Sequence, residues 1–367
     1  MVTSQVAAAQ QTTNWKQIFS LGALNAAVVI SWIAYHNYQP KVLEKFQVTD
    51  LEEFMKIAQA IVLVFIPPIA GLVGDYFIRK SGNHFVVFMV GISITAMVFM
   101  AVAFTISGNP LENLKVILPL MIVIWLISMN IFHSPANSML ELFAPAHQLP
   151  LAMSVLALIT ELLYALEPIV VEIIDLIGAP LTFVTGGVLI LTSGIVFRAS
   201  TKNINLRREA DFKEDHIDHL EKIALCGLAF GLANAILMNI FPIVLDEKLT
   251  FFASETLKGK QYVSMILGVS AFAAIPISPL VNRWGTKKAV LIGLAITFIS
   301  ISLITMPFPS QVFTVGACTL FGLGFSLLAV SSFPFVLANV SKKRLTFGAG
   351  LFFGSFELAD GLMNIFM

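Results

Sequence analysis

Glu161, Glu357 and Asp360 stand deep inside long apolar runs. An ionisable side chain at membrane depth is costly and by default marks a functional site. Glu161 lies about twelve residues into its run and Glu357 about twelve into its own, roughly 18 Å along each helix at ~1.5 Å per residue. Asp360 shares a helical face with Glu357 at i+3, and Tyr164 stands in the same relation to Glu161. No lysine or arginine occurs at this depth, so the neutral, protonated acid is favoured. Such a group can take a proton from water on one side and release it on the other, which makes the three acids proton-coupling candidates. The competing reading is structural, with Glu161 and Glu357 as protonated groups that bond neighbouring helices. Around them runs a polar and aromatic set suited to holding a small solute. Asn25, Trp32 and His36 follow at i, i+7 and i+11 with Tyr35 alongside, then come Asn130, His133 and Asn137, and further on Asn234 and Asn239. Their bland alternatives are an interfacial aromatic belt for Tyr35 and Tyr38 and packing for the histidines. Glu167, about 240° round the helix from Glu161, does not share its face.

The elements that must position these residues are membrane helices. Hydrophobic residues make up 57% of the chain and charged residues only 12%, against about 25% charged in soluble domains. A zero net charge gives no reason to expect a nucleic-acid partner. Spans of about 20 apolar residues are predicted at 17–38, 54–78, 84–107, 115–140, 149–174, 177–199, 220–245, 259–281, 287–306, 311–339 and 345–366. The fold class expected is all-α and polytopic. Cys226 and Cys318 fall inside spans and read as buried free thiols. The opening Met1 to Asn14 has no apolar core and reads as no signal peptide.

Lysine and arginine set an orientation. With a cytoplasmic N-terminus, fifteen of the 22 fall on the inner side and seven on the outer, as the positive-inside rule favours. The charged stretch 201–218 separates 1–200, with six spans, from 219–367, with five. The parts repeat one another. Pro40-Lys-Val-Leu-Glu44 returns as Pro242-Ile-Val-Leu-Asp246, Phe132-His-Ser-Pro135 as Ser331-Ser-Phe-Pro334, and Thr160-Glu-Leu162 as Phe356-Glu-Leu358, at offsets of 202, 199 and 196. The first pair is expected to close its helices. A polar loop sequence repeats too. Gly71, Gly74, Asp75, Arg79 and Lys80 in the first copy face Arg283, Gly285 and Lys287 in the second, where Asn282 replaces the aspartate.

That loop resembles G-x-L-x-D-R-x-G-R-K of the major facilitator superfamily, and the topology and internal repeat extend the resemblance over nearly the whole chain. It implies two pseudo-symmetric six-helix bundles that rock about a midplane site, with the first, fourth, seventh and tenth helices lining the cavity. The family normally has twelve helices, so a twelfth is expected to be truncated, absent or supplied by a protein partner. The function expected is secondary transport of a small organic solute, neutral or cationic and possibly sugar-like, by proton-coupled symport or antiport. Lipophilic-cation efflux is the alternative within transport; a non-transporting membrane subunit that docks proteins or pigments is the alternative outside it. Phosphate-cradling, metal-protease and hydrolase motifs are missing, so no enzyme, cofactor or metal is implied. The partners expected are lipid, the solute and protons, in a bacterial cytoplasmic (inner) membrane.

Overall fold

The structure, a computed structural model, describes residues 12–45, 51–82, 85–107, 112–202, 217–251, 258–307 and 310–366, and among these it is helical without strands. The first half comprises α1 (Trp15–Lys45), α2 (Glu52–Ser81), α3 (Phe85–Ser107), α4 (Glu112–Ser138), the short α5 (Leu140–Phe143), α6 (Leu149–Ala165), α7 (Glu167–Ile177) and α8 (Ala179–Thr201). The second comprises α9 (Leu220–Ala235), α10 (Phe241–Lys248), α11 (Lys258–Trp284), α12 (Thr286–Thr305), α13 (Gln311–Ala338) and α14 (Leu345–Phe366). Ten spans among the described residues are long and apolar enough to cross a membrane; the eleventh predicted span is α14. Large apolar side chains such as Met97, Phe104 and Phe298 stand exposed, which a hydrocarbon solvent tolerates and water does not. Cys226 and Cys318 are buried and free.

Proline shapes three helices differently from the expected pattern. Pro40 lies inside α1, which runs on to Lys45 instead of closing there. The span predicted at 149–174 divides at Leu166, because Pro168 has no N–H for the carbonyl of Tyr164. The span at 220–245 is interrupted by a π-helical turn, Ile236–Ile240, two residues before Pro242. Pro242 cannot donate to Met238 and its ring crowds that carbonyl; one wide turn absorbs the misfit.

Both halves tie the entry of their first helix to the exit of their fourth. The N–H of Asn14 donates to the carbonyl of Phe143 (2.7 Å), and that of His219 to Asn339 (3.0 Å). Asp218 adds a bond from the Ser341 N–H (2.6 Å) and an ion pair with Arg344 (3.5 Å). Between the halves run two long seams, α2 against α14 and α6 against α11. The first is held at backbone contact by small residues. A Cβ at Gly350 would strike the carbonyl of Pro67, and one at Gly354 that of Val64. On its other side α14 presses on α9, where Gly227 and Gly231 meet the carbonyls of Phe352 and Phe356. This close approach by glycine is how membrane helices gain packing without a hydrophobic driving force. It fixes α14, the carrier of Glu357 and Asp360, between the halves.

Candidate functional site

The loop motif lies at the end of the bundle where α2 finishes and α14 begins. Asp75 is buried there, and its carboxylate accepts the N–H groups of Thr346 (3.1 Å) and Phe347 (2.9 Å). These are unpaired donors of the first turn of α14, where a negative charge also meets the helix dipole. Gly71 and Gly74 allow the approach, since side chains there would meet Thr346. Arg79 is exposed but within electrostatic reach of Asp75, and Lys80 donates to the Tyr76 hydroxyl (3.1 Å). The second copy makes no such latch. Asn282, Arg283 and Lys287 are exposed, and Gly285 sits at φ 81° as the turn into α12. By the offset of 196 that relates Glu161 to Glu357, the counterpart of Thr346 is Pro150, which has no N–H to give. The second latch thus lacks both its charge and one of its donors.

At mid-depth the predicted residues separate into two groups. Asn25, Asn130, Asn137 and Tyr35 are buried and spend their polar atoms within the protein. Asn25 donates to Asn137 (3.1 Å), which donates to the carbonyl of His133 (2.9 Å); Asn130 bonds back to Leu126 (2.8 Å). Tyr35 stacks on Trp125 at 4.7 Å and donates to Gln59 (3.1 Å). It lines a small apolar cavity with Gln39, Phe99 and Phe183.

The other group is less covered. His36 is exposed, and Tyr164, His133 and Glu357 are half-buried. Trp32 stacks on His36 at 5.6 Å, and His133 meets Phe353, one turn before Glu357, at 4.4 Å. Glu357 and Asp360 are electrostatic neighbours, and both reach Tyr164. Asp360 accepts a hydrogen bond from Asn239 (3.0 Å), a residue of the π turn. Asn234, one turn earlier, is half-buried. Among the described residues, His36, Tyr164 and Glu357 have no hydrogen-bond partner for their side chains. A carboxyl, a phenol and an imidazole thus keep polar atoms unspent, and Glu167 and Asp360 reach both the phenol and the imidazole electrostatically.

Glu161 is placed elsewhere. It is buried in the α6–α11 seam, next to Ser270, and the two do not close into a hydrogen bond: Glu161 Oε2 and Ser270 Oγ are both buried without a partner. The repeat-related acids therefore occupy different settings, one buried between packed helices and one half-buried beside Asp360.

A feature the sequence did not single out closes the far end. Lys260 at the start of α11 pairs with Glu167 at the start of α7 (3.3 Å), which joins the two halves. Both groups also reach His36 electrostatically, together with Asp360. The signal lay in Pro168: by breaking the helix it lets Glu167 begin a new one, freed from the face that Glu161 fixes. Nearby, Asn37 (3.0 Å) and Lys41 (3.0 Å) bind Asp175 and hold its carboxyl below the ordinary value.

Similarity to known proteins agrees with this architecture. The model of the Major Facilitator Superfamily matches residues 18–362. The chain belongs to this family. Among solved structures, the human organic anion transporter MFSD10 (TETRAN) superimposes with a TM-score of 0.75 at 11% identity, over 97% of this chain and 93% of that one. A bacterial homologue of the iron transporter ferroportin, outward-facing with soaked iron, gives 0.71 at 12% identity over 95% and 90%. Another outward-facing structure of a bacterial ferroportin homologue gives 0.70 at 12% identity over 95% and 91%. Identities this low show the fold alone. No curated protein sequence matches the chain. The family and fold are those of membrane-embedded transporters.

Proposed function

We propose that the protein is a proton-coupled secondary transporter of a small organic solute, neutral or cationic, working by alternating access. The observation that carries this reading is Glu357, a half-buried acid of the helical bundle without a hydrogen-bond partner among the described residues, with Asp360 one turn on. Two carboxyls at i and i+3 in a low dielectric do not readily both ionise, which suits the pair to carry a proton. We assign the proton to Glu357 and Asp360, and the solute to the surface formed by Trp32, His36, His133, Tyr164 and Asn239. Residues 1–200 and 219–367 are taken as the rocking units with 201–218 as their linker. The Asp75 latch then marks the cytoplasmic end in a bacterial inner membrane and favours the form open on the opposite side. The test is accumulation in proteoliposomes under an imposed pH gradient, using radiolabelled sugars, polyols and organic amines. At least one solute should concentrate inside and leak back on adding a protonophore. No accumulation, or accumulation indifferent to the protonophore, removes the reading.

A further inference from the structure

A groove on the outside of the first half carries a charge at one end and hydrocarbon along the rest. It runs between α1 and α8 with a volume of about 470 Å³. Lys16 stands at its mouth, exposed, and no ion pair among the described residues engages it. Below the lysine the walls are exposed apolar side chains, Phe19 and Ala23 from α1 with Val196 and Ala199 from α8. Ser20 and Ser200 make the floor with their hydroxyls 2.6 Å apart, and the Gln17 amide donates to the Ser200 carbonyl (3.1 Å). Those bonds hold the two helices together at the base, so the groove is formed before anything enters it. Its room comes from Ala23 and Ala199, whose small side chains leave open what a leucine would fill. Along α1 the order is ammonium, hydroxyl, hydrocarbon, and Ala23 lies roughly 10 Å deeper than Lys16 at ~1.5 Å per residue. Trp15 and Phe19 stand exposed beside the lysine with ring centroids 6.1 Å apart, as aromatic rings do at a membrane–water boundary.

We propose that this groove binds one anionic phospholipid, with the headgroup phosphate at Lys16 and an acyl chain along Phe19, Ala23, Val196 and Ala199. The order of groups in such a lipid is the order found in the groove. Charge narrows the choice of occupant. A lysine ammonium is a point charge suited to phosphate, and basic sites between helices near the cytoplasmic surface hold anionic headgroups. The lysine and arginine count assigns this end of the bundle to the cytoplasm, the leaflet that carries such lipid. A free phosphate ion gains the ammonium but nothing from the apolar walls, which an acyl chain covers. An apolar helix, or a second copy of this chain laid in the groove, covers the walls but seals the ammonium from water without a counter-charge. A zwitterionic lipid fits the walls and lacks the net charge. The anionic lipid meets both demands, and by touching α1 and α8 at once it reinforces the Ser20–Ser200 contact from outside.

The site does not depend on the transport reading, and either can fail without the other. The full chain in detergent is titrated with dioleoyl phosphatidylglycerol and with dioleoyl phosphatidylcholine, and bound lipids are counted by native mass spectrometry. The first phosphatidylglycerol should bind about fivefold more tightly than the first phosphatidylcholine, as one lysine beside an anionic headgroup provides. Lys16→Gln should bring that ratio to within about twofold of unity with phosphatidylcholine binding unchanged, and Lys16→Arg should keep it. Ala199→Leu, which fills the groove, should weaken the first phosphatidylglycerol about fivefold. Lys288→Gln, which removes an exposed lysine at the start of α12, should change nothing and controls for general loss of surface charge. Equal binding of the two lipids, a ratio undiminished in Lys16→Gln, the same loss in Lys288→Gln, or no effect of Ala199→Leu each overturns the proposal. So does displacement of the lipid by millimolar inorganic phosphate, which makes the site one for a soluble anion. Paired chains without lipid overturn it as well, because the groove then takes a second copy.

Discussion

At the scale of single residues, what matters is which polar atoms are spent. Asn25, Asn130 and Asn137 were recognisable as membrane-depth polar groups, but their types could not tell a ligand contact from a helix-to-helix bond; their neighbours decide that, and their neighbours are protein. Glu357 and Tyr164 are the opposite case, half-buried with polar atoms unmatched among the described residues. The prediction that belongs here is that Glu357→Gln abolishes accumulation under a pH gradient while counterflow exchange stays within about threefold of wild type. Exchange needs the conformational cycle but no net proton release. Wild-type accumulation by this variant at every pH would make the acid structural. A second residue-scale prediction concerns Asp175. Its folded carboxyl is held below the ordinary value by Asn37 and Lys41, so the stability it adds is present above the usual aspartate range and is lost as pH falls through the depressed value. The pair is exposed and screened, so Asp175→Asn should cost only about 0.2–0.5 kcal/mol. Melting scans of the two proteins should differ by a degree or so near neutrality and converge in acid.

At the scale of elements, the spans were legible because some 20 apolar residues in a row have one meaning in a membrane. The break at Leu166 and the π turn at Ile236–Ile240 were not, although Pro168 and Pro242 were in plain view. A proline fixes where a backbone bond is lost but not how the helix recovers, which depends on what packs beside it: a divided helix in one case, a wide turn in the other. Those two irregularities position Glu167 and Asn239, so the parts of the candidate site hardest to read in the sequence are those that depend on them. The α2–α14 seam supplies the element-scale prediction. Because Gly354 lies against the carbonyl of Val64, Gly354→Leu must push α14 away, at about 1–3 kcal/mol for overpacking. A matching loss of thermal stability is expected. An unchanged melting temperature would mean the seam is looser than the contact implies.

At the scale of the whole molecule, the two halves are tied at both ends, and by different means. The Asp75 carboxylate caps α14 at one end and the Lys260–Glu167 pair joins α11 to α7 at the other. The first copy of the loop motif carries the Asp75 latch, and the second copy, with Asn282 for the aspartate, makes none. The Lys260 link had no such signature, since it joins residues 93 positions apart that neither repeat nor motif relates. Two bonds from N–H groups to a buried carboxylate contribute about 1.5–3 kcal/mol each, so Asp75→Asn should move the balance between the two open forms by tenfold or more. Alternating access requires that movement to be reciprocal. The direct test is spin-label distance measurement on two pairs of exposed sites in the full protein, Tyr76 with Trp284 at the latch end and Leu176 with Phe251 at the far end. On introducing Asp75→Asn, the account predicts that the first distance lengthens while the second shortens or stays closed; both pairs lengthening together, or neither changing, would contradict it.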